Sequence, residues 1–240
     1  MSGDGEERRR VLQDNVVRSY SVPEVVDRYR QRAAADLRRW EEALLASVMP
    51  EPGTVLVVGC GSGREAFALE DRGWTVTAVD VTPALLEVAL GEARARDSEV
   101  RFELVDGVDL PLQDDAVDAV TLWSQVLNNV PTRAGRAVLM REAHRVLTPG
   151  GVVSFSVHDR IRTMARVAPE MIVSVDDPEP GDLVLLEREG GVERLNHYFD
   201  KAEITTMCTE AGFSSLQIWH TSDLGEAWNN VFVAAARKAG

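Results

Sequence analysis

Three glycines lie within five residues between an apolar stretch and a helix-like stretch, in the segment VLVVGCGSGREAFALEDRGWTVTAVD of residues 55–80. Gly59, Gly61 and Gly63 allow the backbone to turn with positive φ, and they allow a ligand to approach the backbone closely. The helix that follows presents unpaired N–H groups to a negatively charged ligand group at its first turn. The segment therefore predicts a ligand site, with a simple tight turn as the alternative explanation.

An aspartate stands at the end of the strand that follows the glycines. Asp80 is seventeen positions after Gly63, and a carboxylate at this place accepts hydrogen bonds from the hydroxyl groups of a ribose. Because the carboxyl ends of parallel strands lie at one edge of the sheet, we expect Asp80 and the glycines to meet there. Together they predict a site for a nucleoside. A helix cap is the alternative role for Asp80, although Thr82 is also placed to be that cap.

The elements that position these residues alternate between strand and helix patterns. Apolar stretches rich in β-branched residues predict strands over residues 54–58, 75–79, 100–105, 117–122 and 152–157. Threonine, proline and glycine signals predict helices between them, over residues 64–72, 82–96 and 132–147. Two late strand patterns, SSLQIWHT and NNVFVAAAR, complete the sheet. The alternation predicts an α/β fold with a Rossmann-like, doubly wound sheet of seven mostly parallel strands, covered by helices on both faces.

Two regions of the chain differ from this alternation. Residues 21–24 form a capping-box pattern with an early proline, and apolar residues then recur every three or four positions as far as Val48, which predicts one long amphipathic helix. Later, two strand patterns flank Gly190 and Gly191, which predicts a hairpin. These features divide the chain into an N-terminal helical cap, an α/β domain and an insertion within that domain that covers the substrate, over residues 1–50, 51–240 and about 160–200.

Composition and charge exclude several classes of partner. The formal net charge of −13 opposes binding to a nucleic-acid backbone, so we expect a small-molecule substrate instead. No apolar stretch approaches the roughly 20 residues that span a bilayer, and the charged segment MSGDGEERRR differs from a signal peptide. We therefore expect a cytoplasmic protein without membrane association. Cys60 and Cys208 lack metal-ligand spacing, which predicts no metal site. A monomer and a homodimer both remain open.

The set of motifs resembles the class I S-adenosylmethionine-dependent methyltransferases. The resemblance rests on the strand that ends in GCGSG, on the acid at the end of the next strand and on Val105-Asp106 at the end of the third. It covers roughly residues 40–160, where RVLTPGG over residues 145–151 is similar to the family's turn into the fifth strand. It implies S-adenosylmethionine as the cofactor and an in-line displacement that transfers a methyl group to an O, N or S atom of a small molecule.

The resemblance also implies roles for individual residues. The glycines and Arg64 are expected at the methionine part of the cofactor, Asp80 at the ribose and Asp106 at the adenine amino group. The complete set of cofactor contacts implied in this way is Gly59, Gly61, Gly63, Arg64, Asp80, Val81, Asp106, Gly107, Trp123 and Ser124. One position departs from the family pattern. Many members carry an acid two residues before the first glycine, where this chain has Val57, so the contact to the cofactor's amino group is left unassigned.

One histidine and several polar or aromatic residues are candidates for the substrate end of the site. His158 follows the fifth strand at its carboxyl end and is the candidate general base, which is needed only if the acceptor arrives protonated. The candidate substrate contacts are Tyr20, Tyr29, Gln125, Asn128, His197 and Trp219. For Tyr29 the alternative is a place in the core stripe of the first helix, and for His197 it is a purely structural hydrogen bond.

Two other functions are compatible with parts of the pattern. An NAD(P)-dependent oxidoreductase shares the arrangement of strand, glycines and helix, but the dinucleotide fingerprint counted from Gly59 has Arg64 at its last position. A non-catalytic protein that binds S-adenosylmethionine as a partner or sensor is the other alternative, and Val57 is the feature that favours it. The methyltransferase is the interpretation that all of the strand-end motifs support together.

Overall fold

Strands and helices alternate through the computed structural model, which describes residues 3–49, 51–167, 172–173, 179–186 and 191–240. Its strands are β1 (Thr54–Val58), β2 (Thr75–Asp80), β3 (Arg101–Leu104), β4 (Val117–Leu122), β5 (Leu147–His158), β6 (Ile172–Val173), β7 (Asp182–Leu186), β8 (Glu193–His197), β9 (Phe213–His220) and β10 (Val231–Lys238). Its α-helices are α1 (Gly3–Tyr20), α2 (Pro23–Arg32), α3 (Arg39–Val48), α4 (Arg64–Glu70), α5 (Pro83–Arg96), α6 (Arg133–Val146), α7 (Arg160–Met164) and α8 (Lys201–Glu210).

The main sheet has the strand order β3-β2-β1-β4-β5-β10-β9. The first five strands in this order pair in parallel, and β10 pairs antiparallel with both of its neighbours, β5 and β9. The strand order reverses between β1 and β4, so the carboxyl ends of these two strands flank a crevice in which a ligand can bind. The predicted seven-stranded, mostly parallel, Rossmann-like sheet is confirmed.

The sheet is buried on both faces, because its strands alternate apolar side chains between two clusters of the core. In β1, Leu56 and Val58 pack into one cluster, and Val55 and Val57 pack into the other. The second cluster also contains Trp40 from α3, which is completely buried. Helices therefore cover both faces of the sheet, as in other parallel sheets, and the strand ends are the part of the sheet that a ligand can reach.

The N-terminal region contains three helices, so the prediction of one long helix is wrong. α2 ends at Arg32, and α3 begins at Arg39. Arg38 between them has an extended backbone with ψ of 160°, and its N–H donates to the Glu41 side chain in a capping box that starts α3. The apolar period continues across this break because Leu37 is buried although it lies outside both helices. Periodicity alone therefore does not reveal the break.

The insertion after β5 forms a small antiparallel sheet in the order β6-β7-β8. The predicted hairpin corresponds to β7 and β8, which pair from Asp182 opposite His197 to Leu186 opposite Glu193; Gly190 lies outside the described residues. α1 packs against β8, so α1, α2 and the small sheet together form a cover over the strand ends. None of the helices in the described part of the chain combines the length and the apolar character that a membrane span requires.

Candidate functional site

The three predicted glycines form the turn between β1 and α4. Gly59, Gly61 and Gly63 have φ values of +69°, +54° and +90°, in the left-handed region that favours glycine. A Cβ atom on Gly59 would lie 2.5 Å from a methyl carbon of Val126, and one on Gly63 would lie 2.6 Å from the Phe67 ring. Both the space and the backbone conformation therefore require glycine in this turn.

Asp80 fixes this turn from the end of β2. Its Oδ2 accepts the Gly61 N–H at 2.7 Å, and its Oδ1 accepts the Thr82 N–H at 2.8 Å. Burial raises the pKa of the Asp80 carboxyl, and the two backbone hydrogen bonds oppose that shift. A carboxylate has about four lone-pair sites, so acceptor capacity remains for the hydroxyl groups of a ribose after the turn has been fixed.

A cavity of about 590 Å³ lies over the glycine turn, between the strand ends and the cover. Its volume is within the range of roughly 300–1,000 Å³ that is typical of small-molecule sites. Many of the predicted site residues line its wall, namely Tyr20, Tyr29, Gly59, Gly61, Arg64, Asp80, Val81, Gly107, Ser124, Gln125, Asn128 and His158. The structure therefore brings most of the implied cofactor contacts into one space with candidate substrate contacts and the candidate base.

Three residues implied as cofactor contacts do not lie on the cavity wall. Gly63 is the N-cap residue of α4, where it turns the backbone. The Trp123 side chain is completely buried and donates from Nε1 to Ser154 Oγ at 2.8 Å, so it belongs to the core. Asp106 has an exposed side chain. A direct contact between the cofactor and any of these three residues stays a prediction.

Two candidate substrate residues are also placed away from the cavity. His197 is buried, and its Nδ1 and Nε2 lie 2.6 Å from Asp182 Oδ1 and 2.7 Å from Glu203 Oε1. These contacts support the alternative that His197 forms purely structural hydrogen bonds. Side chains alternate along β8, so Arg194, on the cavity side, and His197 point to opposite faces of this strand. Trp219 lies in β9 at the edge of the main sheet, where it packs against the hydrophobic core.

Side chains of the cover complete the wall, and sequence reasoning missed the central one. Arg194 in β8 donates from Nη1 to Tyr20 Oη at 2.5 Å and to Asn129 Oδ1 at 3.2 Å. Tyr20 packs edge to face with Tyr29, with ring centroids 5.9 Å apart. Burial raises the pKa of the Tyr29 hydroxyl far above its usual value, so this group stays protonated. The cover therefore contributes the guanidinium groups of Arg32 and Arg194, two aromatic rings and neutral polar groups to the cavity.

His158 lines the same cavity from the end of β5. Burial lowers the pKa of its imidazole to about 4; a hydrogen bond to the Asn230 backbone opposes this shift, and the charge of Arg194 adds to it. The Nδ1 atom of the ring is buried and has no hydrogen-bond partner within the described ranges. The backbone N–H of His158 donates to Asn128 Oδ1 at 3.3 Å. The imidazole is therefore neutral at neutral pH and has a lone pair that can accept a proton.

An ion cluster directly follows the glycine turn. Arg64 donates from Nη1 and Nη2 to the two carboxylate oxygens of Glu41 at 2.8 and 2.6 Å. Its Nη2 also donates to Glu65 Oε1 at 2.6 Å, and Ser124 at the end of β4 donates to the same oxygen at 2.5 Å. Arg64 and Ser124 line the cavity as the resemblance implies, and Glu65 is a wall residue that sequence reasoning missed.

The sequence matches known methyltransferases. Residues 56–155 match the profile of the methyltransferase domain. The ubiquinone/menaquinone biosynthesis C-methyltransferase UbiE of Paracoccus denitrificans is 32% identical over 210 residues, which cover 79% of this chain and 78% of that protein. The demethylmenaquinone methyltransferase of Clavibacter sepedonicus is 39% identical over 114 residues, which cover 47% of this chain and 44% of that protein. The chain thus spans about half the length of several curated relatives that it matches.

Solved structures share the fold. An S-adenosylmethionine-dependent methyltransferase from Methanosarcina mazei aligns with a TM-score of 0.68 at 23% identity, over 85% of this chain and 99% of that chain. The 1,6-didemethyltoxoflavin-N1-methyltransferase of Burkholderia thailandensis aligns with a TM-score of 0.65 at 20% identity, over 100% of this chain and 92% of that chain. At these identities the likeness establishes the fold alone.

Proposed function

The chain belongs to the class I S-adenosylmethionine-dependent methyltransferases, and from this membership we propose that it transfers a methyl group from S-adenosylmethionine to a nucleophilic atom of a small molecule. One observation carries the proposal: the glycine turn, Asp80 and a neutral His158 line the same cavity. An NAD(P)-dependent oxidoreductase, the alternative that the glycine pattern allowed, does not fit this family.

The residues at the strand ends fit the cofactor. A Cβ atom on Gly61 would come within 3.2 Å of the Tyr29 ring, another wall residue, so glycine keeps this part of the cavity open. Asp80 provides the acceptor for the ribose hydroxyls, next to the turn that it fixes. When bound, the cofactor supplies an electrophilic methyl group on a positively charged sulfur. The chain then has to align the acceptor with that group and exclude water.

We infer that the acceptor is an aromatic or enolic small molecule with an ionisable hydroxyl group. The names of two relatives refer to menaquinone and ubiquinone compounds, which supports an acceptor of this kind. Arg194 and the Tyr20 hydroxyl form a polar pair suited to an acceptor oxygen. The rings of Tyr20 and Tyr29 provide aromatic surface for the acceptor ring beside this pair.

His158 is the proposed general base. A ring nitrogen of the neutral imidazole, which lines the cavity, accepts the proton that the acceptor loses as the acceptor atom becomes nucleophilic. Since the pKa of His158 is about 4, the imidazole is in its basic form throughout the neutral range. Protonation of His158 is therefore expected to lower kcat/KM only as the pH falls towards about 4.

The cover belongs to the same proposal. α1 and α2 contribute Tyr20 and Tyr29, and β8 contributes Arg194, so residues 1–50 and about 160–200 would serve as the cap over an α/β domain. Gln125 and Asn128, both on the cavity wall, are proposed to bind the acceptor from the sheet side. We further propose that the protein does not act on nucleic acid, which the net charge of −13 supports, and that it is located in the cytoplasm.

The test is a transfer assay with S-adenosylmethionine labelled in its methyl group and a panel of phenolic and enolic acceptors. For the best acceptor, His158→Asn is expected to lower kcat at least about 100-fold, because a positioned base contributes about 10²–10⁴. The affinity for S-adenosylhomocysteine should change by less than about threefold, since the glycine turn is unaltered.

The control variant is His144→Asn, because His144 packs on Phe213, and it does not line the cavity. Equal turnover by His158→Asn and the parent protein would remove His158 as the base. Labelled cofactor that binds without methylating any acceptor, including those in a cell extract, would favour the non-catalytic binding protein instead.

A further inference from the structure

Two buried carboxylates share one guanidinium beside the glycine turn. Arg64 donates to both oxygens of Glu41 and to Glu65 Oε1. Glu41 is completely buried, and Glu65 is 3% exposed. The three ionised groups carry one negative charge in excess, which is costly in a buried place unless a further cation or a proton balances it. The exposed Arg38 adds only a weak attraction.

The excess negative charge favours a proton on Glu65. Burial raises the pKa of the Glu65 carboxyl; the charge of Arg64 opposes that shift, and the charge of Glu41 adds to it. A positively charged ligand group at the same place would neutralise the excess negative charge of the cluster. The cluster is therefore complementary to a cation.

Glu65 faces the space in which the cofactor is expected. Its carboxylate reaches from the beginning of α4 to Ser124 at the end of β4, and both residues line the cavity together with Gly59 and Gly61. The position at which many family members carry an acid is Val57, whose side chain is completely buried in the core beneath the turn. A carboxylate on the wall has to come from another element.

Three carboxylates from the described residues line the cavity, and they differ in burial and in partners. Asp80 accepts the backbone N–H groups of the turn. Asp36 is largely exposed and forms an ion pair with Arg72 at 2.8 Å. Glu65 is the buried one that lies between the glycine turn and the end of β4.

We propose that Glu65 binds the α-amino group of the cofactor's methionine part, at the place left without an acid by Val57, and that Arg64 and Ser124 orient its carboxylate. The proposal rests on the proposed function, because it requires that S-adenosylmethionine occupies the cavity. It gives Arg64 an orienting role, since two carboxylates already engage the guanidinium. Glu65 is then the charged residue that distinguishes the amino acid end of the cofactor from a simple nucleoside.

The experiment is titration calorimetry with three compounds. They are S-adenosylhomocysteine, its analogue with hydrogen in place of the α-amino group, and 5′-methylthioadenosine, which lacks the amino acid part. Glu65→Gln retains the oxygen that accepts from Arg64 and Ser124 but removes the negative charge. We expect S-adenosylhomocysteine to bind about 30-fold more weakly to this variant, because a buried charge pair loses one partner. The other two compounds should change by less than about threefold.

The matched control is Glu42→Gln, which changes the net charge by the same amount. Glu42 neighbours Glu41 on α3, its side chain is 52% exposed, and it pairs with Arg72 outside the cavity. This variant should bind all three compounds like the parent protein. Thermal unfolding without ligand shows whether Glu65→Gln is folded.

Several results would overturn the proposal. Equal losses for all three compounds in Glu65→Gln would show that Glu65 only supports the turn, and an unchanged affinity for S-adenosylhomocysteine would remove its role. The parent protein itself gives a test that needs no variant: it must bind S-adenosylhomocysteine about 30-fold more tightly than the analogue without the amino group. If the parent protein binds none of the three compounds, the proposed function fails; if only this preference is missing, Glu65 alone loses its assignment.

Discussion

The cavity consists of two halves that are built in different ways. In the cofactor half, formed by the glycine turn and the end of β2, backbone N–H groups meet one carboxylate, as Gly61 meets Asp80 at 2.7 Å. In the cover half, formed by α1, α2 and the small sheet, side chains from distant parts of the chain meet. Tyr20 and Arg194, which are hydrogen-bonded across this half, are 174 residues apart in sequence.

This difference indicates which half can vary. A turn that needs glycine at positive φ tolerates few substitutions, because both its space and its backbone conformation are fixed. Side-chain contacts across the cover can be exchanged one at a time without altering the sheet. We therefore expect changes in the cover to alter acceptor binding or the stability of the cover, and changes in the turn to alter cofactor binding.

The largest effect is expected for the ion network that anchors the cover to the sheet. Arg136 in α6 is 2% exposed, and its Nη2 lies 2.7 Å from Glu179 Oε2 and 3.7 Å from Glu203 Oε1. Arg136→Met leaves these carboxylates without their shared cation, so the free energy of unfolding in urea should fall by about 3 kcal/mol. The affinity of the folded protein for S-adenosylhomocysteine should stay within about twofold, because the cofactor half is not touched.

The control for this prediction is on the same helix. Arg133 is 67% exposed and pairs with Glu210 at 3.3 Å, so Arg133→Met should cost no more than about 1 kcal/mol. A large loss of cofactor affinity in Arg136→Met would contradict the separation of the two halves, since it would couple the anchor of the cover to the glycine turn.

The two halves also differ in how far the sequence predicts them. Glycines at positive φ, an acid at a strand end and stretches of β-branched residues are local signals, and they predict the sheet and place Gly59, Gly61 and Asp80 on one cavity wall. The break between α2 and α3 has no such signal, because the buried Leu37 continues the apolar period across it.

Contacts over long sequence separations have no local signal at all. Glu65 accepts a hydrogen bond from Ser124, which is 59 residues away in sequence. The residues next to Glu65 and Ser124 in sequence do not indicate this pairing. In β8 the pattern predicts a strand but not which face points to the cavity, so the sequence favours His197 as a substrate contact although Arg194 is the residue on the wall. The register of β8 against β7 and its packing against α1 decide this, and both depend on tertiary contacts.

A smaller effect, confined to the cofactor half, is expected for Asp80→Asn. The Asp80 carboxylate accepts the N–H groups of Gly61 and Thr82, one on each oxygen. Asparagine has an amide nitrogen in place of one oxygen, so one of these hydrogen bonds is lost, and the substitution also removes the negative charge. We expect the affinity for S-adenosylhomocysteine in calorimetry to fall about 100-fold, because hydrogen bonds to a charged group contribute about 1.5–3 kcal/mol each.

The control is Asp118→Asn at the amino ends of the strands, opposite to the ends that carry the cavity. Asp118 accepts the Thr54 N–H at 2.9 Å, a contact of the same kind at the amino end of the strands. This variant should bind S-adenosylhomocysteine like the parent protein. A comparable loss in both variants would mean that the affinity reports the stability of the sheet rather than a contact to the ribose.

The smallest effect is expected where the cover meets the acceptor. Tyr20→Phe removes the hydroxyl that accepts from Arg194 and keeps the ring that packs on Tyr29. The KM for the acceptor should rise about fivefold, since one hydrogen bond contributes about 1 kcal/mol, with the affinity for S-adenosylhomocysteine unchanged. If the hydroxyl acts by orienting Arg194, then Tyr20→Phe combined with Arg194→Lys should raise KM no further than Arg194→Lys alone. Additive effects would instead place the Tyr20 hydroxyl in direct contact with the acceptor, and a shift in cofactor affinity would show that the two halves do not act separately.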